Sequence, residues 1–137
     1  MRRYVGVFPV DLACGAFWPQ ISHLLEKSLP HGRGEYTLED IRTGIESGDL
    51  FAIGSACCGD VSFVAVCSIQ EYPRKRVLYV QHGAGRKGSE SLPAVLSAAK
   101  ALGADWVETR CRPAVARLYR KLGFDTSYQV ALLETPQ

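Results

Sequence analysis

Apolar residues recur at two different intervals along this chain, and the switches between them mark its elements. RRYVGVFPV is β-branched and aromatic, which predicts a first strand over residues 2–8, ended by Pro9. Phe17, Ile21, Leu24, Leu25 and Leu29 then fall three and four apart, the spacing of one helical face. Pro19 fits only the first turn of that helix, where a missing amide proton costs nothing. Pro30 and two glycines in PHGRGE stop the helix in a loop. In TLEDIRTGIESGDL, Thr37 is placed to cap a second helix, with Glu39 and Asp40 in the first turn, where the helix dipole favours acid. Leu38, Ile41 and Ile45 form its stripe, and Gly48 is its left-handed stop.

The interval then shortens. DLFAIGSA and DVSFVAVCSIQEY read as strands joined by a hairpin at CCGD, and PRKR turns the chain into a third strand, VLYVQH. Helical spacing returns with Leu92, Val95, Leu96, Ala99 and Leu102 and ends at Gly103. ADWVETR is a short strand, and Pro113 opens the helix PAVARLYRKL, whose Leu118 and Leu122 are expected to face the core before Gly123 terminates it. SYQVALLE is a last strand. The order β-α-α-β-β-β-α-β-α-β predicts a single α/β (α+β) domain over residues 1–137, a mixed sheet with helices on both faces. Three consecutive strands argue against a doubly wound nucleotide fold, which alternates strand and helix from the start.

Composition narrows the function. At 137 residues, 47% hydrophobic and 22% charged, the chain is an ordinary soluble globular protein. A net charge of +2 excludes a nucleic-acid footprint, and Arg74, Lys75 and Arg76 read as a solvated turn. The five cysteines include no C-x-x-C pair, so neither a disulfide framework nor a zinc site is supported. His23 and His31 have no acidic partner at ligand spacing, and no metal is expected. Pro9 and Asp11 interrupt any signal-like start, and no apolar run is long enough for a membrane span. A reducing, cytoplasmic setting follows as the expectation.

Two stretches carry candidate chemistry. In QHGAGRKGSESL, glycines precede a helix N-terminus whose free amides suit a phosphate, and Arg86 and Lys87 add two cations. The spacing is not that of a P-loop, and the bare G-x-G-x-x-G match from Gly83 to Gly88 follows the wrong strand context. From the residues alone this stretch is equally a phosphate cradle or a plain turn. In ARLYRKLGF, Tyr119 lies at the edge of a helical core face, where a phenol can donate a proton or simply be half-buried.

With these pieces in order, the chain resembles the GNAT superfamily of acyl-CoA-dependent N-acetyltransferases. Leu78–Val80 before GRKG is similar to that family's acetyl-CoA strand and pyrophosphate loop, LSAAKALGADWVETR to its next helix and strand, and ARLYRKLGF to its C-terminal signature. The resemblance implies a mixed, mostly antiparallel sheet of about six strands. It implies that backbone groups of Tyr79 and Val80 pair with the pantetheine arm of acetyl-CoA, and that Gly85, Arg86, Lys87, Gly88, Ser89 and Glu90 hold the pyrophosphate. It further implies direct attack by an amine, with Tyr119 protonating the thiolate. A general base is drawn from Glu71, His82 and Glu108, of which His82, at a strand end beside the glycines, is the most exposed. The amine is not identified by the sequence.

The alternative is a non-catalytic binding or inhibitory protein of the same fold, of a kind found among small phage-encoded proteins, that has lost the cofactor. Glu90 in the first helical turn and Arg112, where the family often has asparagine, speak for it; Tyr119 speaks for the enzyme. The last strand can pair with a neighbouring copy in a dimer or end free, so oligomeric state stays open.

Overall fold

The structure is a computed structural model that describes residues 3–29, 34–85, 88–111 and 113–136, without the side chains of 88–90 and 113–115. Its elements are β1 (Arg3–Val7), α1 (Trp18–Ser28), α2 (Leu38–Ser47), β2 (Phe51–Cys57), β3 (Asp60–Glu71), β4 (Arg76–Gly85), α3 (Gly88–Ala101), β5 (Trp106–Thr109) and α4 (Pro113–Lys121). The five strands form one sheet in the order β1-β2-β3-β4-β5, antiparallel except for the parallel pair β4–β5.

The early elements form for the reasons the sequence gives. Thr37 and Asp40 make a reciprocal capping box, Thr37 accepting from the Asp40 amide at 3.1 Å and Asp40 accepting from the Thr37 amide at 2.9 Å. The Thr37 amide, with a smaller contribution from the Thr37 hydroxyl, holds the Asp40 carboxyl below its ordinary pKa. Gly48 closes α2 at φ 87°. Cys58 (φ 54°) and Gly59 (φ 81°) form the two-residue hairpin turn, whose paired positive φ matches the twist of the strands on either side. Before α1 the chain departs from a simple helix start: Leu12–Ala16 is a π-helical turn broken at Gly15, and α1 begins only at Trp18, with Pro19 in its first turn.

Two apolar clusters lie on opposite faces of the sheet. On one, Ile21 and Leu25 of α1 and Ile41 and Ile45 of α2, all at most 1% exposed, pack with Phe8, Val64 and Val66. Each such side chain contributes about 1.5–3 kcal/mol by leaving water. On the other, Ala94, Val95, Ala98 and Ala99 of α3 cover Ile53, Phe63, Ala65, Cys67 and Leu78. Leu96, read from its spacing as part of the α3 stripe, is 51% exposed instead, because the small residues at 94, 98 and 99 bring the helix down on a neighbouring face. None of the five cysteines forms a disulfide, and burial pushes the Cys67 thiol up to about 12. No helix among the described residues is long and apolar enough to cross a membrane.

The end of the chain departs most from expectation. The sheet has five strands, not six: residues 124–136 have no regular structure, and SYQVALLE pairs with nothing in the sheet. Leu118 and Leu122, expected in the core, are 58% and 40% exposed. Both departures have one cause. A strand satisfies its backbone groups only through a neighbour, and the surface that a sixth strand would cover is left open with it.

Candidate functional site

The site begins where β4 and β5 part. Their pairing runs from Val77–Trp106 to Val80–Thr109 and stops, while β4 continues to Gly85. The Thr109 hydroxyl donates to the Val80 carbonyl at 3.0 Å and ties off the last paired rung. Beyond it opens a cleft of about 260 Å³, walled by Leu92 and Val95 of α3, by Val107 and Thr109 of β5, and by Tyr119, Leu122 and Phe124. Its floor is Phe63 of β3 with Gly83, Ala84 and Gly85 of β4.

A bulge sets which side chains flank the opening. Cys67 pairs with Val80 and Val66 with His82, so Gln81 is an extra residue on β4. Val80 packs with the α3 cluster and Ala84 with the α1/α2 cluster. Gln81 donates to the Ser68 hydroxyl at 3.2 Å. Because Ser68 follows Cys67 of the α3 cluster, it faces the α1/α2 side, and consecutive residues Gln81 and His82 both point there. Gly83 and Gly85, opposite Ala65 and Phe63, present bare backbone to the α3 side.

Tyr119 stands on the cleft side. Its ring meets Phe124 edge-on, 5.1 Å between centroids, and burial, with a smaller contribution from the nearby Cys111 thiol, raises its pKa. The phenol therefore keeps its proton at neutral pH and is competent to donate it. His82 stands on the other side, half-buried, with its ring edge-on to Tyr36 at 5.6 Å. Burial lowers its pKa, the opposing pull of Glu35 being smaller, so the imidazole is neutral at pH 7. Its Nε2 is buried and has no hydrogen-bond partner among the described residues.

The remaining sequence candidates separate by position. Glu71 ends β3 and pairs with Arg76 at the start of β4, and so is removed from the opening. Glu108 sits opposite Tyr79 on the same rung. Burial raises the Tyr79 pKa, with Arg110 opposing and Glu108, Glu35 and Tyr36 adding to the rise. Tyr79 and Val80 are the last rungs shared with β5, and the open edge of β4 starts just after them. Gly88, Ser89 and Glu90 form the first turn of α3, whereas Arg86 and Lys87 lie outside the described residues, as does Arg112.

Sequence reasoning missed Thr109 and Arg110, and it reached Glu35 and Tyr36 only as members of the HGRGEY loop, read as a mobile connection rather than part of an acceptor site. Glu35 and Tyr36 end the HGRGEY loop, and the Arg110 guanidinium meets Glu35 at 3.9 Å, joining that loop to the end of β5. The one signal available was the loop's position directly before the Thr37 cap, which anchors it to α2. Among the described residues no group of three or more His, Cys, Asp or Glu could hold a metal ion.

No protein-family profile matches the sequence, and no curated protein is significantly similar to it. Solved structures match throughout its length. A ribosomal-protein-alanine N-acetyltransferase from Brucella melitensis superposes with a TM-score of 0.72 at 10% identity, covering 98% of this chain and 100% of that one. An aminoglycoside N-acetyltransferase in complex with CoA gives 0.71 at 12% identity, with 98% and 95% covered. Glucosamine-6-phosphate N-acetyltransferase from Arabidopsis thaliana gives 0.65 at 13% identity, with 97% and 99% covered. The chain thus has the GNAT acetyltransferase fold, in a sheet of five strands rather than about six.

Proposed function

We propose that the protein is an N-acyltransferase that moves an acyl group from acyl-CoA, acetyl-CoA being the simplest donor, to an amine by direct attack. The observation that carries this reading is the placement of a protonated phenol and a neutral imidazole on opposite sides of the opening where β4 and β5 part. The described residues fit the donor: the walls are apolar, and Gly83 and Gly85 leave peptide groups of the open β4 edge accessible to a strand-like arm. Arg86 to Glu90 are assigned to the pyrophosphate, through amides at the start of α3. The solved complex of a fold relative with CoA agrees with a donor of this class.

Acyl-CoA supplies the acyl group as a thioester. The chain's own residues position it and move protons. The open edge of β4 orients the arm, and Phe63, Leu92 and Val95 exclude water from it. The neutral His82 imidazole accepts a proton from the amine on the α1/α2 side, relayed through water. The Tyr119 hydroxyl delivers a proton to the thiolate sulfur on the α3 side. Five cysteines outside any disulfide, two of them buried, suit a reducing cytoplasm.

Isothermal titration with acetyl-CoA tests the reading. Saturable heat is expected; none at millimolar donor would return the chain to the non-catalytic alternative. The pH profile of kcat/KM tests the base. Because burial depresses the His82 pKa from 6.5, the acid limb is expected below pH 6.5 and is expected to vanish in His82→Gln. Stability shifts in the same window. As pH falls below 6.5 the unfolded chain takes up the proton first, so the contribution is whole above that pH and is lost below it. An acid limb that survives His82→Gln would move the role of base to Glu108.

A further inference from the structure

The turn between β2 and β3 carries two adjacent cysteines that acyl transfer does not use. Cys57 ends β2, Cys58 and Gly59 make the turn, and Asp60 begins β3. Cys58 has φ 54° and is the one residue other than glycine with positive φ among the described residues. The first position of such a hairpin turn favours Asn, Asp or Gly, so a cysteine there is held against its own preference. What holds it is α1. The Gln20 side chain donates to the Gly59 carbonyl at 2.7 Å and accepts from the Val61 amide at 2.8 Å, clamping the turn from the side. Clamped so, the two sulfurs lie 3.9 Å apart, with Cys58 exposed.

That separation decides between two uses of the pair. Neighbouring Cα atoms across a trans peptide are about 3.8 Å apart, short of the about 4.4–6.8 Å that disulfides ordinarily span, so the chain opposes a bond between the sulfurs. A bridging atom meets no such obstacle. Thiolate bonds of about 2.3 Å to a closed-shell d10 cation, meeting at about 116°, span the observed gap. Structural zinc takes four ligands, and among the described residues no group of three or more His, Cys, Asp or Glu supplies them. Cuprous copper is softer, selects thiolate, and is satisfied by two or three sulfur ligands.

We propose that Cys57 and Cys58 form a site for one cuprous ion, bound by both sulfurs, with a small external thiol able to fill a third position. Each thiol gives up its proton as its sulfur binds, so uptake releases two protons and changes no oxidation state. Neither cysteine lines the cleft, so the proposal is independent of acyl transfer.

Anaerobic titration of the reduced full chain with cuprous ion, in competition with the chromophoric chelator bicinchoninate, is the test. One ion per chain is expected to be held, with thiolate-to-copper absorption in the near ultraviolet. Cys57→Ser and Cys58→Ser are each expected to weaken binding by more than the about 10–100-fold that loss of a group merely orienting a ligand costs. Cys58→Gly separates the site from the fold. Glycine suits the turn, so the thermal midpoint should hold or rise while the ion is lost. Cys111→Ser should keep the ion, and Cys14 and Cys67 are buried. A chain that holds no ion against the chelator overturns the proposal. So does binding that survives in Cys58→Gly, or binding that is lost in Cys111→Ser. A Cys57–Cys58 disulfide found by peptide mapping in protein purified under air overturns it too.

Discussion

Tyr119→Phe is expected to lower kcat by about 10²–10⁴-fold, the range for loss of a positioned proton donor, with acyl-CoA affinity nearly unchanged. The ring stays, so its edge-on contact with Phe124 and its share of the cleft wall survive. What disappears is a hydroxyl whose pKa burial has raised above 10. The unmodified protein should therefore stay protonated at this position up to strongly basic pH, and the variant should lose any basic limb that the phenol imposes. Single-turnover rates and titration calorimetry on the same preparation separate the two roles. If rate and affinity fall together, Tyr119 is a packing residue and the donor lies elsewhere.

Gly85→Ala is expected to be the most destabilising single change of its size. Gly85 has φ +133°, a region closed to residues with a Cβ, and an added Cβ would lie within 2.7 Å of both Ser62 and Phe63. The nearest atoms are the backbone of β3, which has no rotamer to change. Strain of about 1–3 kcal/mol combines with overpacking of about 1–3 kcal/mol. Together they are a large fraction of a small domain's stability, about 5–15 kcal/mol. Urea unfolding of the variant should show a much lower midpoint with an unchanged slope. Gly83→Ala is the control, since nothing lies within 4 Å of a Cβ built there. Equal stability of the two variants would mean that β4 shifts away from β3 without cost.

How much of this was legible in the sequence depended on whether the signal was local. The Thr37 cap, the Cys58–Gly59 turn and the stripe of Ile41 and Ile45 are encoded within a few residues, and they form as read. The bulge at Gln81 is not encoded that way. Alternation assumes that each residue points opposite its neighbour, and one extra residue breaks the assumption at the place where His82 is aimed. Thr109 was invisible for a related reason, because its partner, the Val80 carbonyl, belongs to another strand. Leu118 and Leu122 show the converse error. Their spacing signals an apolar face, but periodicity does not say that anything packs on it, and both side chains are exposed. The glycine stretch stood undecided between cradle and turn; what the structure adds is the open strand edge leading to it and the start of α3 beyond.

The floor of the cleft has a consequence for descent. Along Gly83 to Gly85 a visiting molecule meets peptide groups and hardly any side chain. Selection for such a surface acts on dihedral angles and on the absence of bulk, and most of the alphabet outside those positions is free to change. A lineage can then replace nearly every letter while the groove persists. Such a groove is compatible with a chain that superposes on acetyltransferases at 10–13% identity over nearly its whole length and still matches no family profile.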